Sequence, residues 1–132
     1  MEIVKTSLSE TYPPSLYLTL HNIWGDGFMV VEDGGRIVAF VAAVESERHI
    51  ARVLMLAVLR EYRGRSLGSM LMKELYTRCV SNGIHTVKLE VRKSNKVAMT
   101  FYEGQGFSVT GELKNFYIDG EGAFVMTKIL ES

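Results

Sequence analysis

The sequence predicts an α/β domain around a mixed central β-sheet flanked by helices, and three observations carry that expectation. The run Val53 to Leu59 is continuously apolar, which suits a central strand covered on both faces. Leu67, Met70, Leu71, Leu75 and Cys79 recur at helical spacing, with Lys73, Glu74, Thr77 and Arg78 between them. Thr86 to Arg92 alternates strictly, with Val87, Leu89 and Val91 on one face and Lys88, Glu90 and Arg92 on the other.

The remaining elements follow in order. Pro13 and Pro14 open a short helix to about Asn22, ended by Gly25-Asp26-Gly27. Phe28 to Glu32 and Arg36 to Val44 read as a hairpin around Asp33-Gly34-Gly35. Asn82-Gly83 closes the helix that starts at Leu67, since either residue tolerates a positive φ. Ser94 or Asn95 caps a second helix, with Val97, Ala98 and Phe101 inward and Gly106 at its end. Two last strands, about Phe107 to Phe116 and Ala123 to Leu130, flank the turn Asp119-Gly120.

With 132 residues the chain makes one domain, 1–132, and leaves no room for a separate substrate domain. A chain of this length buries roughly two-thirds of its unfolded surface, so it needs no disulfide or metal staple. Fifteen basic side chains balance fifteen acidic ones, so no global field draws it to nucleic acid or anionic lipid. Cys79 is the single cysteine, which excludes an intrachain disulfide and reads as a core residue. Met1 to Glu10 lacks the apolar core of a signal peptide, and no apolar run is long enough to span a bilayer. A cytoplasmic protein, monomer or homodimer, is the expectation. His21, His49 and His85 lack ligand spacing, so no metal is expected; the seven methionines, Met70 and Met72 among them, read as core filler.

Arg63-Gly64-Arg65-Ser66-Leu67-Gly68 lies between the apolar strand and a helix start. Its glycines allow close backbone approach, the N–H groups of a helix N-terminus favour an anion, and Arg63 and Arg65 offer forked donors. A pyrophosphate fits such a loop; so does plain solvent. Gly64 to Gly68 also spells G-x-S-x-G, the nucleophile elbow of serine hydrolases. That elbow needs a later acid and histidine. Only His85 follows Ser66, and the one carboxylate between them, Glu74, lies on the same helix. Arg60 to Arg63 also separate strand from motif, too far for a tight elbow.

The segment Asn95 to Phe107 matches N-x-x-A-x-x-(F/Y)-Y-x-x-x-G-F at every fixed position and so resembles the GNAT acetyltransferases. Arg63 to Gly68 resembles that family's first signature, (Q/R)-x-x-G-x-(G/A). Leu89 to Asn95 and Asn115-Phe116-Tyr117 are similar to the N-terminal-amine branch, which includes ribosomal-protein alanine acetyltransferases and archaeal relatives. The resemblance implies the single-domain GNAT fold and acetyl-coenzyme A as cofactor. Backbone groups of Leu56 and Val58 would pair with the pantetheine arm like an added strand. The amides from Arg63 to Ser69, through Gly64, Arg65, Ser66 and Gly68, would cradle the pyrophosphate. Asn95 would touch the cofactor, and the Tyr102 hydroxyl would lie near the thioester sulfur.

Two departures stand out. Leu59 and Arg60 replace the usual acidic residue and proline, and Ser66 stands where the signature's first glycine is expected. If that position needs a positive φ, serine costs roughly 1–2 kcal/mol; if glycine serves only close approach, serine fits with some crowding or donates to phosphate.

Acetyl transfer by direct attack needs a neutral amine and a proton for the departing thiolate. Glu90, on the polar face of its strand, is the candidate general base, against a plain ion pair with Lys88 or Arg92. Tyr102 is the candidate general acid, against simple packing between helix and sheet. Phe116 and Tyr117 shape the acceptor pocket or pack an edge strand. An α-amine titrates near pH 8 and a lysine near 10.4, so lysine costs about 3–4 kcal/mol more to deprotonate at neutral pH. The expected acceptor is therefore a peptide N-terminus, with a small amine or lysine as the alternative. Coenzyme A binding without turnover, or a scaffold role in a larger assembly, are the non-enzymatic alternatives.

Overall fold

In the computed structural model, residues 3–4, 27–64 and 66–131 are described; the helix expected from Pro13 to Asn22, and Arg65, lie outside them. The strands are β1 (Ile3–Val4), β2 (Phe28–Asp33), β3 (Arg36–Glu47), β4 (Ile50–Val58), β5 (Thr86–Arg92), β6 (Ser108–Leu113) and β7 (Ala123–Ile129). Among the described residues two α-helices join them, α1 (Leu67–Ser81) and α2 (Lys96–Gly104). One mixed sheet runs β2-β3-β4-β5-β7-β6, with β1 paired to β4. β4 and β5 are parallel, while the β2–β3, β3–β4, β5–β7 and β6–β7 pairs are antiparallel.

Gly34 and Gly35 both take positive φ, 61° and 81°, which supplies the hairpin turn between β2 and β3. β5 has the expected alternation: Val87, Leu89 and Val91 are buried, and the residues between them are half-buried. The buried set meets Leu71, Met72, Leu75 and Cys79 of α1 and Ala98 and Tyr102 of α2, so both helices lie on one face. Phe40, Ala42 and Ala57 form a smaller cluster on the other face. Asn82 caps α1, and Gly83 follows at φ 76°.

Several expectations need correction. β4 starts at Ile50 rather than Val53, and it is not covered on both faces throughout, because Leu54 is exposed. Leu54 is the extra residue of a β-bulge, since Ala42 faces Met55 and Ala43 faces Val53. The bulge resets the alternation, so Val53 and Leu56 both point to the helices. Val97 was assigned inward but is 78% exposed, and Met70, assigned to the core, is 51% exposed. β6 ends at Leu113 rather than Phe116, because the chain turns through Asn115 at φ 54°. Cys79 is fully buried, and burial pushes its thiol up to about 12, which leaves it a packing residue.

Candidate active site

β3 accompanies β4 along its whole length, from Glu47 opposite Ile50 to Ala39 opposite Val58. β5 pairs with β4 only at Ile50, Ala51 and Arg52, opposite Thr86, Val87 and Lys88. Beyond Arg52 the two parallel strands separate, and the bulge at Leu54 adds bend to the divergence. Leu56 and Ala57 meet Val41 and Phe40 on the β3 side, so their pairing with Ile3 and Val4 uses the edge that β5 has left. That is the edge the resemblance gives to the pantetheine arm at Leu56 and Val58.

After β4 the chain turns through Leu59, whose N–H bonds Val38 O at 2.8 Å, and one 3-10 turn at Arg60–Tyr62. The Tyr62 hydroxyl donates to Asp33 Oδ2 at 2.5 Å, anchoring the loop to the β2–β3 hairpin. Gly64 then takes φ 81°, with open space where a Cβ would stand. Ser66 is left-handed at φ 61° and ψ 23°, and its side chain makes no capping bond to α1. Among the described residues, Met70 is the first α1 amide to bond back, to Ser66 O at 3.0 Å. The amides of Leu67, Gly68 and Ser69 precede it, and among the described residues none of them has a backbone acceptor, the open arrangement that a helix N-terminus offers to an anion.

These residues wall a cavity of about 390 Å³. Val58, Arg63, Gly64, Ser66, Gly68 and Ser69 form one side, and Asn95, Val97, Ala98 and Phe101 the other. A Cβ on Gly68 would make ordinary van der Waals contact, 3.4 Å from Phe101 Cζ and 3.8 Å from Leu56 Cδ2, so the helix start lies close against both side chains. The Ser69 hydroxyl accepts a 3.2 Å bond from Gln105 Nε2, which ties the start of α1 to the end of α2. Asn95 Oδ1 accepts from Ala98 N at 3.1 Å, capping α2 while its side chain borders the cavity.

Ser66 therefore falls in the first of its two cases: the backbone needs the left-handed region, and serine occupies it at a cost. Ser66→Gly is expected to stabilise the protein by roughly 1–2 kcal/mol, read as a higher melting temperature. An unchanged or lower melting temperature would show that no strain is held there.

Tyr102 lies behind the cavity wall, fully buried, with its ring 5.1 Å from that of Phe101 and 5.5 Å from that of Phe107. Its hydroxyl is buried and, among the described residues, has no hydrogen-bond partner. Burial, reinforced by Tyr76, drives its pKa well above the ordinary phenol value, so it stays protonated. Such an orphaned donor fits a site completed by a polar atom of a bound group.

Glu90 sits on the sheet face away from the helices. Its partner is neither Lys88 nor Arg92 but Arg52 of β4, whose Nε and NH2 bond Oε1 at 2.9 and 2.6 Å. Arg92 instead bonds Asp119 at 2.9 Å and Glu121 at 3.0 Å, and its guanidinium lies 3.9 Å from the Tyr117 ring centroid. This ties the β6–β7 loop, with Phe116 and Tyr117, to the end of β5. The Asp119 carboxyl is lowered by the Glu121 amide and then Arg92, and the Glu121 carboxyl by Ser94 and then Arg92. Both stay ionised as pH falls through the ordinary carboxylate range, so the tie holds at neutral pH and is lost only in stronger acid.

Thus the loop, Gly68, Ser69, Asn95 and Val58 share one cavity, with Leu56 beneath it; Tyr102 is behind it, and Glu90 is on the opposite face. Ser66 and His85 lie at opposite ends of α1, about 22 Å of helix, which removes the hydrolase reading. Sequence reasoning missed Tyr62 and Arg52. The signal for Arg52 was present, because it is the one charged residue in Ile50–Val58. Among the described residues no helix is long and apolar enough to cross a membrane, and no three His, Cys, Asp or Glu side chains gather as metal ligands would.

Comparison with known proteins identifies the family. An uncharacterized N-acetyltransferase of Methanocaldococcus jannaschii is 34% identical over 129 residues, covering 96% of this chain and 81% of its own length. N-alpha-acetyltransferase 30 of Schizosaccharomyces pombe is 28% identical over 130 residues, covering 93% and 85%. The crystal structure of Ard1 from Thermoplasma volcanium matches with a TM-score of 0.85 at 36% identity, over 95% of this chain and 84% of that one. The ribosomal-protein-S18-alanine N-acetyltransferase from Escherichia coli matches with a TM-score of 0.73 at 28% identity, over 92% and 81%. The model of the acetyltransferase (GNAT) family matches residues 1–107, and the chain belongs to that family.

Proposed function

We propose that the chain moves the acetyl group of acetyl-coenzyme A onto the α-amine of a peptide N-terminus. The observation that carries this reading is the cavity at the start of α1, beside the β4 edge that β5 has left. The names of the relatives point to N-terminal amines, and the energetics agree, since an α-amine is about 3–4 kcal/mol easier to deprotonate than lysine at neutral pH. Bound acetyl-coenzyme A supplies the acetyl group as an activated thioester.

The chain's residues divide the remaining work. The amides of Leu67, Gly68 and Ser69, with Arg63, Gly64 and Ser66, receive the pyrophosphate, and Arg65 adds charge to the same loop. Leu56 and Val58 offer backbone groups to the arm, and Asn95 borders it. Tyr102 Oη holds the proton required at the departing sulfur. Glu90 takes the proton from the acceptor ammonium, directly or through a water. Phe116 and Tyr117 flank the acceptor on a loop that Arg92 steadies.

A thiol-release assay tests the proposal. With acetyl-coenzyme A, an unblocked peptide is expected to liberate free coenzyme A thiol, and its N-terminally blocked twin is not. Equal release with both would remove the N-terminal acceptor, and release with no amine at all would leave only cofactor binding.

A further inference from the structure

We infer that Arg52 is a positioning residue for Glu90: it clasps one carboxylate oxygen across the divergence of β4 and β5 and leaves the other to the acceptor. The inference rests on Glu90 being the base in the proposed function. Three observations support it.

The first is placement. Arg52 and Lys88 form the last rung between the two strands, and Glu90 lies two residues beyond it on β5. The ion pair therefore spans the point where backbone bonding stops. The second is geometry. Nε and NH2 of Arg52 both bond Oε1, at 2.9 and 2.6 Å, so Arg52 makes no demand on Oε2. A forked donor on a single oxygen fixes a flexible side chain while keeping one acceptor site open.

The third is the surroundings. Lys88 and Arg92 share the face of Glu90 on β5, and Arg92 is engaged by Asp119 and Glu121. β7 presents Ala123, Val125 and Thr127 opposite Arg92, Glu90 and Lys88, and β3 presents Val44 opposite Arg52; none of these titrates. Among the described residues Arg52 is the cation bonded to Glu90. The Arg52 side chain keeps 41% of its surface exposed, so solvation does not demand the pair; the pairing instead sets the orientation of the carboxylate.

The test compares Arg52→Met, Arg52→Lys, Glu90→Gln and the double variant Arg52→Met/Glu90→Gln in the full chain. Steady-state kinetics with a peptide α-amine and acetyl-coenzyme A are measured beside melting temperatures. Arg52→Met is expected to lower kcat about ten- to a hundred-fold, the scale for a misplaced group, with KM for acetyl-coenzyme A unchanged. Arg52→Lys keeps the charge but not the fork, so its kcat should fall between wild type and Arg52→Met. The double variant should be no slower than Glu90→Gln, because residues acting as one unit are not additive. A fall in melting temperature with kcat intact would mean mere bracing of the strands and overturn the inference. So would an additive double variant, or a wild-type kcat in Arg52→Lys. If Glu90→Gln is slow while Arg52→Met is not, the positioning role alone falls. If Glu90→Gln keeps full kcat, the base assignment falls, and the positioning role with it.

Discussion

Tyr102→Phe is expected to lower kcat by about 10²-fold or more, the usual scale for losing a positioned acid, while acetyl-coenzyme A still binds. The same change should raise the melting temperature of the protein without ligand. The phenol is fully buried and its oxygen has no hydrogen-bond partner among the described residues, so the fold carries a desolvated polar group for no structural return. Removing such a group recovers about 1–3 kcal/mol, and the phenylalanine ring keeps the contacts with Phe101 and Phe107. A packing tyrosine and a catalytic one therefore predict different pairs of results. Packing alone gives a more stable protein with full turnover, and that outcome would remove Tyr102 from the chemistry. Because burial raises its pKa, the hydroxyl keeps its proton through neutral and mildly alkaline pH, so ionisation of Tyr102 should not limit the rate there.

Glu90→Gln is expected to lower kcat with a peptide α-amine about 10²-fold near neutral pH, and less above about pH 8, where the amine is already neutral. The amide matches the carboxylate in shape and still offers an acceptor to Arg52, whose side chain is 41% exposed and can turn to solvent. The melting temperature should therefore change little. A loss that stays constant across pH would assign Glu90 to binding the acceptor rather than to deprotonating it.

Much of the framework was legible because local chemistry decides it. Gly34-Gly35 sets a hairpin, Asn82-Gly83 ends a helix, Asn95 caps one, and the alternation from Thr86 to Arg92 gives a strand with its facing correct. The place of the loop was legible for the same reason, since a glycine-containing turn between an apolar strand and a helix start leaves its backbone open, and it does line the cavity. Features fixed by distant partners were not legible. Arg52 interrupts the apolar run and so hid the start of β4, and its partner is 38 residues away. The bulge at Leu54 depends on register against β3, which no local pattern encodes. Val97 is apolar at a helical position yet faces the cavity, because Ala98 and Tyr102 already occupy the inner side of α2. Ser66 left two possibilities open, and only its φ of 61° decides between them.

The claim that the acceptor is a peptide N-terminus is tested most directly by locating the transferred acetyl group. A peptide with a free α-amine and an internal lysine is incubated with the protein and acetyl-coenzyme A near neutral pH, then fragmented by tandem mass spectrometry. The account predicts acetyl on the α-nitrogen, with the lysine ε-nitrogen unmodified. Acetyl on the ε-nitrogen, or an unmodified peptide beside an acetylated small amine, would contradict it.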